Sequence, residues 1–220
     1  MFNPLFQHMN ENEIQACLQE LHAYSQRYEK NTILLLAGDS NNQIGIVQKG
    51  SVTIESYDLW GNTTILNHIE KQGLFAESYA LLEGSVMMVN VRANEDCEVL
   101  YLNMENIRSI PETSWKTKLL FNLLQITSKK NIQLSQRSFY IAHKSIRQRV
   151  FSYLTTISIQ KQTNDFEIPL NRQQLADYLN VERTALSKEL AKMEKEGILS
   201  FRKNHFILKE KAGVKPAYFH

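Results

Sequence analysis

The sequence has few cysteines and prolines, and it has no long apolar run. Its 220 residues include two cysteines, Cys17 and Cys97, which lie far apart along the chain. Two cysteines are too few for a disulfide framework, a structural zinc site or a four-cysteine iron–sulfur cluster. No apolar stretch approaches the roughly 18 residues of a membrane helix, and the start lacks the segments of a secretory signal. We therefore expect a cytoplasmic protein that has no membrane partner.

Signatures of catalysis and of metal or haem binding are also missing. The chain has no glycine-rich phosphate loop, no HExxH, no paired-carboxylate motif and no nucleophile elbow. None of its histidines stands in a recognisable haem-ligand signature. The six histidines are His8, His22, His68, His143, His205 and His220. We therefore expect that the protein is not an enzyme and has no resident cofactor. Binding of an unknown small effector remains open.

Charge is distributed unevenly along the chain. Residues 1–140 carry 11 Lys and Arg against 15 Asp and Glu, a net of −4. Residues 141–220 carry 14 against 8, a net of +6. A basic module joined to a mildly acidic one is typical of a protein that contacts phosphate through one end.

Regularly spaced glycines predict an antiparallel β-domain in the first half. Short strand-like runs, from TILLLA to CEVLYL, lie between turn signals about 11 or 12 residues apart, a pattern of sandwiches and barrels. LWGNTT reads as a hairpin turn at Gly61–Asn62. A short amphipathic helix over 11–25 comes first. The spaced glycines are Gly38, Gly50, Gly61, Gly73 and Gly84.

A long helical pattern follows, over residues 113–142. A narrow stripe along it has spacings of four and three residues, with Thr and Asn among the leucines, which can indicate a seam between two helices. The alternative is that this helix packs only on its own domain. The stripe consists of Leu120, Leu124, Thr127, Asn131 and Leu134.

The stretch 170–208 predicts a winged helix-turn-helix. Asn171 and Gln174 can form a capping box, Asn180 suits a tight turn, and a second helix begins near Glu182. The second helix of such a module enters the major groove, and its wing meets phosphate. The predicted DNA contacts are Arg172, Gln173, Arg183, Thr184, Ser187, Lys188, Arg202 and Lys203.

The order of these parts resembles the cAMP receptor protein and fumarate–nitrate regulator (Crp/Fnr) family. The matching stretches are LLLAGD, IVQKGSVTI, KQGLFAESYALLEGS and NRQQLADYLNVERTALSKEL, and the resemblance covers nearly the whole chain. It implies a DNA-binding transcription regulator that is a homodimer held by the long helix. Its expected partners are a two-fold double-stranded DNA operator and, for an activator, RNA polymerase.

The expected fold class is α+β. An N-terminal antiparallel, jelly-roll-like β-roll forms the sensor domain over residues 1–112. The long dimerisation helix covers 113–142, and the C-terminal winged helix-turn-helix covers 143–220. The alternative function is a ligand-independent or protein-interaction module of the same fold.

The resemblance also implies an effector pocket in the β-roll. Members that bind cyclic nucleotides have a Glu for the ribose and an Arg-Ser pair for the cyclic phosphate. Glu77 matches the Glu, whereas Met87 and Met88 stand at the Arg and Ser positions. The predicted pocket residues are Glu77, Ser78, Met87, Met88, Val89 and Leu134.

The two methionines argue against a cyclic nucleotide. If a strand covers 86–92, Met87, Val89 and Val91 share one face, and Asn90 and Arg92 share the other. That face would be apolar where a desolvated phosphate needs a charged partner. Methionine suits an apolar or aromatic effector. The alternative is that the methionines fill a closed core and that the effector binds elsewhere or does not exist.

Overall fold

The computed structural model describes residues 3–57, 60 and 63–209, so the predicted Gly61–Asn62 turn lies outside the described residues. The chain divides into two compact units, Met1–Ser128 and Lys129–His220. Helix α3 (Ser114–Ala142) begins in the first unit and ends in the second, which agrees with the long helix predicted over 113–142. None of the described helices is long and apolar enough to cross a membrane.

The first unit is built mainly from antiparallel strands. It also contains a short 3-10 helix (Pro4–Phe6), α1 (Glu11–Glu20) and α2 (Glu77–Leu81). The described strands are β1 (Tyr24–Tyr28), β2 (Ile33–Leu35), β3 (Gln43–Lys49), β4 (Val52–Tyr57), β5 (Thr63–Ile69), β6 (Leu74–Phe75), β7 (Asn90–Ala93) and β8 (Cys97–Asn103).

These strands form two four-stranded antiparallel sheets, in the orders β1-β8-β3-β6 and β2-β7-β4-β5. Alternate residues of β4 and β7 face the interior: Val52 pairs with Ala93 and Ile54 with Val91, and all four side chains pack in one core. Gly50 lies in a turn with φ 76°, where an added Cβ would come within 2.7 Å of a backbone oxygen. The β-roll predicted from the glycine spacing is therefore confirmed.

A second core of the first unit lies against the helices. Asn10 and Glu13 form a capping box at the start of α1. Cys17 and Leu21 of this region are fully buried together with Leu119 of α3. Helix α1 ends at Glu20, earlier than the predicted 11–25, because the chain turns into β1 after His22, which has φ 47°.

The second unit contains α4 (Ile146–Lys161), α5 (Arg172–Tyr178) and α6 (Arg183–Lys195). A three-stranded antiparallel sheet in the order β10-β11-β9 completes it. The strands are β9 (Asp165–Glu167), β10 (Leu199–Arg202) and β11 (His205–Leu208). One core contains residues of all three helices and of the sheet, which makes this unit the predicted winged helix-turn-helix.

Four of the described strands and α-helices did not follow from the sequence pattern. β1 has exposed side chains along most of its length, so it shows no alternation to detect. β6, α2 and β9 are five residues long or shorter, and so short a segment has no readable period.

Candidate functional site

The N-terminal turns of α6 are fixed by an acidic cap. The carboxylate of Glu182 accepts a hydrogen bond from the backbone N–H of Ala185 at 2.8 Å and another from the Thr184 hydroxyl. The hydrogen bond from the Thr184 hydroxyl, followed by those from the backbone N–H groups of Thr184 and Ala185, holds the pKa of Glu182 below its usual range. The sequence placed the start of the helix here but gave Glu182 no role.

Helix α6 has one buried face and one exposed face. Leu186, Leu190 and Met193 are fully buried, as their helical spacing predicts. The opposite face of the first two turns is exposed and carries two cations and two hydroxyls. Four predicted DNA contacts therefore lie together on this face: Arg183, Thr184, Ser187 and Lys188.

Helix α5 begins with the predicted capping box, in which Asn171 and Gln174 bond to each other's backbone N–H. Asn180 has φ 52°, as expected for the turn between α5 and α6. Gln173 is exposed and donates to the Asp177 carboxylate at 2.8 Å.

Arg172 is held against the wing strands. Its guanidinium carbon lies 4.9 Å from the centre of the Phe201 ring, and it donates to the backbone oxygen of Lys203 at 3.2 Å. Burial lowers the pKa of Arg172. These contacts hold the wing hairpin against the start of α5, so Arg172 differs from the exposed cations of α6.

The wing is the hairpin of β10 and β11. Lys203 lies at its tip with φ 57°, and both Arg202 and Lys203 are exposed. His205 contacts the Asp165 carboxylate at 2.6 Å and so ties the hairpin to β9. The structure thus presents two cations at the end of a supported hairpin, as the sequence predicted.

Arg147 is a residue whose role the sequence did not reveal. It donates to Glu189 at 2.6 Å and to the two carboxylate oxygens of Glu196 at 2.7 and 3.0 Å. Hydrogen bonds to Glu196 and Glu189 raise the pKa of Arg147. These hydrogen bonds join the start of α4 to α6 and so restrain the position of α6. Residues that are 42 and 49 positions apart give no signal in a single sequence.

In the first unit, Glu77 is the first residue of α2 and is buried, whereas Ser78 is exposed. The residue before them, Ala76, has φ 63°, a left-handed conformation that is costly for a residue with a Cβ. The left-handed turn at Ala76 thus directly precedes the buried Glu77.

Met87 and Met88 point in different directions. The side chain of Met87 is 2% exposed and packs in the core of the β-roll with Phe75 and Tyr101, whereas Met88 is 80% exposed. Val89 is partly buried against the same core. The interior position expected for Met87 is confirmed, and Met88 does not line the interior.

The predicted strand over 86–92 is wrong in extent. β7 begins at Asn90, and the backbone of Met87 instead bonds to the loop of residues 38–39. The Gly38 N–H donates to the Met87 oxygen, and the Met87 N–H donates to the Asp39 oxygen, each at 2.8 Å. These bonds hold Met87 outside the regular ladder of β7, although Met87, Val89 and Val91 still pack against one core, as the predicted alternation requires.

A cavity of about 290 Å³ reaches the side of Met87. Among the described residues, neither this cavity nor a larger groove of about 890 Å³ is lined by Glu77. Leu134 lies in the second unit and is 65% exposed. The smaller cavity is lined by Ile33, Leu34, Leu35, Leu36, Asp39, Ser40, Asn41 and Met87.

Arg92, the arginine nearest in sequence to the two methionines, already bonds to other residues. Arg92 contacts the buried Glu55 carboxylate at 2.6 Å and donates to the Tyr57 hydroxyl at 2.5 Å and to the Asn31 oxygen at 2.7 Å. The hydrogen bond to Glu55 is the main cause that raises the pKa of Arg92. This guanidinium lies on the sheet face opposite Val91, so it cannot replace the arginine that a phosphate would need.

The described residues contain no group of three His, Cys, Asp or Glu side chains that could hold a metal ion. Cys17 and Cys97 are both buried free thiols. Burial raises the pKa of the Cys17 thiol to about 12, which keeps it protonated and unreactive.

The second unit has the geometry of a winged helix-turn-helix that binds duplex DNA, and the first unit has the geometry of a β-roll sensor domain. Two known domain families match the chain accordingly. The cyclic nucleotide-binding domain matches residues 25–114, and the Crp-like helix-turn-helix domain matches residues 148–215. The protein belongs to the Crp/Fnr family of DNA-binding transcription regulators, which are not enzymes.

Individual relatives are distant but span most of the chain. The CRP-like protein Clp of Xanthomonas oryzae pv. oryzae is 21% identical over 194 residues, which cover 85% of this chain and 84% of Clp. The cAMP-activated global transcriptional regulator CRP of Pasteurella multocida is 21% identical over 186 residues, 81% of this chain and 87% of CRP.

Solved structures share the fold. The c-di-GMP responsive global regulator CLP of Xanthomonas campestris matches with a TM-score of 0.60 at 20% identity, over 92% of this chain and 100% of that one. A variant of CooA from Carboxydothermus hydrogenoformans matches with a TM-score of 0.60 at 20% identity, over 89% of this chain and 86% of the CooA chain.

Proposed function

We propose that the protein binds a two-fold DNA operator as a homodimer and places α6 of each protomer in a major groove. The observation that carries this proposal is the exposed face of α6. It presents Arg183 and Lys188 beside two hydroxyls, directly at the helix N-terminus. Recognition helices contact base edges through these first turns. In this arrangement Arg183 reads a guanine through two hydrogen bonds, and Thr184 and Ser187 contact base edges or phosphate.

The wing and α5 supply contacts to the DNA backbone in this proposal. Arg202 and Lys203 bind phosphate, which sets the position of the head on the duplex without reading sequence. Gln173 is exposed near the start of α5 and is suited to one further phosphate contact. Arg172 acts mainly by holding the wing, because its guanidinium already lies over Phe201.

The homodimer is supported by the exposed stripe of α3. Leu120, Leu124 and Leu134 are 39%, 60% and 65% exposed in the single chain. Large apolar side chains in a row on one helix face favour burial against another helix. A second copy of the same helix satisfies this requirement with two-fold symmetry, which matches a two-fold operator.

We propose that the effector is not cAMP or another cyclic nucleotide. Relatives are described as cAMP-activated or c-di-GMP responsive, and both ligands carry anionic phosphate. In this chain Met87 and Met88 stand at the Arg and Ser positions, and an uncharged thioether cannot pair with the phosphate; Met88 also points outward. The 290 Å³ cavity beside Met87 has a mixed lining, with Ile33, Leu34, Leu35 and Leu36 on one part and Asp39, Ser40 and Asn41 on another, and these residues offer no cation to a phosphate.

Titration calorimetry tests the effector proposal with cAMP and c-di-GMP as the probes. We expect no heat of binding from either nucleotide at millimolar concentration, and saturable binding of either one would contradict the proposal. Native mass spectrometry of protein purified from its host addresses the alternative, a regulator without a ligand. Small-molecule mass bound to the intact protein supports an effector, and its consistent absence supports a closed core around Met87.

A gel shift with genomic fragments tests the DNA-binding proposal against the alternative of a protein-interaction module. Specific retarded bands that weaken with salt support the operator model. If the protein activates transcription, RNA polymerase is a further partner, and a cytoplasmic location follows from that role. Failure to shift any duplex at low salt would favour a protein partner for the basic face.

A further inference from the structure

The turn between α5 and α6 is held by two arginines from other helices. Arg137 of α3 donates from Nε to the Tyr178 oxygen and from Nη2 to the Asp177 oxygen, each at 3.1 Å. Arg149 of α4 donates from Nη1 to the Leu179 oxygen at 3.1 Å and to the Asn180 oxygen at 2.9 Å. Four consecutive backbone carbonyls, 177–180, therefore accept hydrogen bonds from two guanidinium groups.

This arrangement stabilises the C-terminal end of a short helix. Helix α5 has seven residues, so its C-terminal oxygens are a large part of its polar backbone. Cations at a helix C-terminus interact favourably with the helix dipole. The Arg137 guanidinium also lies 5.6 Å from the centre of the Tyr178 ring, so its position is fixed by a ring contact as well as by two hydrogen bonds.

The same end of α3 packs firmly into the DNA-binding unit. Tyr140 is 2% exposed, and its ring centre lies 5.6 Å from that of Tyr153 and 6.2 Å from that of Tyr178. Arg137 lies one helical turn before Tyr140. The last turns of α3 are thus connected to the turn that sets the direction of α6, and Arg137 makes the polar part of that connection.

We propose that Arg137 is a positioning residue for DNA recognition, which fixes the orientation of α6 relative to the end of α3. The proposal rests on the two-fold operator proposed above. In a dimer joined through α3, both recognition helices must fit their half-sites at once. Their mutual orientation is set by their attachment to the two helix ends. A single DNA-binding unit on one half-site can adjust its orientation freely. A weaker attachment of α6 to the end of α3 should therefore reduce affinity for the whole operator more than affinity for one half-site.

The experiment compares affinities for a duplex selected by the wild-type protein from a random library and for a duplex that holds one of its half-sites. We expect Arg137→Gln to weaken binding of the whole operator by at least about fivefold, the lower end of typical coupling between sites. Half-site affinity should change by less than about twofold. Arg137→Lys keeps the charge without the planar fork, so its effect should be intermediate.

Two controls separate positioning from other roles. Arg27→Gln removes an arginine with an 83% exposed side chain from the first unit and should leave both affinities unchanged. The slope of log affinity against log salt should be the same for Arg137→Gln and the wild type, because Arg137 contacts no phosphate in this proposal.

Two results would overturn the role of Arg137. These are an unchanged ratio of operator to half-site affinity, including the case in which both affinities fall equally, and a salt slope reduced by about one. A wild-type protein that does not prefer the two-fold duplex would instead refute the proposed operator, and that result is seen before any variant is compared.

Discussion

At the scale of single residues, the proposed DNA contacts divide into side chains of α6 that would read bases and side chains of the wing that would bind the DNA backbone. Arg183 lies at the first position of the helix, where bidentate contact with a base is geometrically accessible. Arg202 lies on the wing, where phosphate is the expected contact. These two arginines should therefore have different effects on sequence preference.

Replacement of Arg183 by Ala should relax base preference at one position of each half-site. Removal of a bidentate hydrogen-bonded pair should cost about 1–3 kcal/mol on the preferred sequence and much less on a sequence altered at that position. Fluorescence anisotropy with a set of singly substituted duplexes measures this difference.

Arg202→Ala is the matched control for this experiment. It should weaken binding to every duplex by a similar factor, and it should lower the salt slope by about one for each phosphate that the variant no longer neutralises. If Arg183→Ala kept the full sequence preference of the wild type, α6 would not read bases through this residue.

The two neighbouring methionines should differ in their effect on stability. Met87→Ala removes a side chain that is 2% exposed, so it should lower the free energy of unfolding by about 2–5 kcal/mol. Met88→Ala removes one that is 80% exposed, and it should change stability by less than about 0.5 kcal/mol. Urea denaturation of both variants gives the comparison, and equal effects would contradict the opposite orientations of the two side chains.

At the scale of secondary-structure elements, α1 and α3 are joined by a polar cluster within the first unit. Lys118 of α3 contacts both carboxylate oxygens of Glu13 at 2.7 Å, and Ser114 donates to the same carboxylate at 2.5 Å. The hydrogen bond from Lys118, followed by that from Ser114, lowers the pKa of Glu13 to about 2. The ionised carboxylate is therefore the form that stabilises the folded chain.

This cluster predicts a specific pH dependence. Because the folded pKa of Glu13 is depressed, its contribution is present above the ordinary value near 4.5 and is lost as the pH falls toward 2. The wild type should be more stable than Glu13→Gln at pH 7, and this difference should shrink steadily between pH 4.5 and pH 2. Thermal unfolding across this range measures it. A difference that stayed constant with pH would show that the carboxylate charge is not involved.

The sequence predicted elements with a clear period better than it predicted those set by distant contacts. The capping box at Asn171, the turn at Asn180 and the buried face of α6 depend on neighbouring residues, and all three were predictable. The course of the chain at Met87 depends on hydrogen bonds to residues 38–39, which the local alternation could not show. The guanidinium contacts of Arg147 likewise join residues far apart in sequence.

At the scale of the whole molecule, the proposed dimer requires the exposed stripe of α3 to be covered by a second chain. Leu134→Glu places a charge in that stripe and should shift the protein toward monomer, because an unpaired charge is costly in an apolar interface. Leu82 is 64% exposed, nearly the same as Leu134 at 65%, but it lies outside the stripe. Leu82→Glu is therefore the control.

Sedimentation velocity over a range of concentrations measures the oligomeric state of both variants. The wild type and Leu82→Glu should sediment as dimers under conditions where Leu134→Glu is largely monomeric. A wild-type protein that is monomeric at all concentrations would refute the homodimer, and so would a Leu134→Glu variant that remained a dimer.

The central claim is that the basic α6 of this chain binds duplex DNA sequence-specifically. The most direct test measures the affinity of the wild type for its selected two-fold duplex and for a scrambled duplex, from low to physiological salt. We expect two chains per duplex, an affinity that falls as salt rises, and a preference for the selected duplex of at least about 10³-fold at physiological salt. Equal affinity for both duplexes, or no binding even at low salt, would contradict the claim.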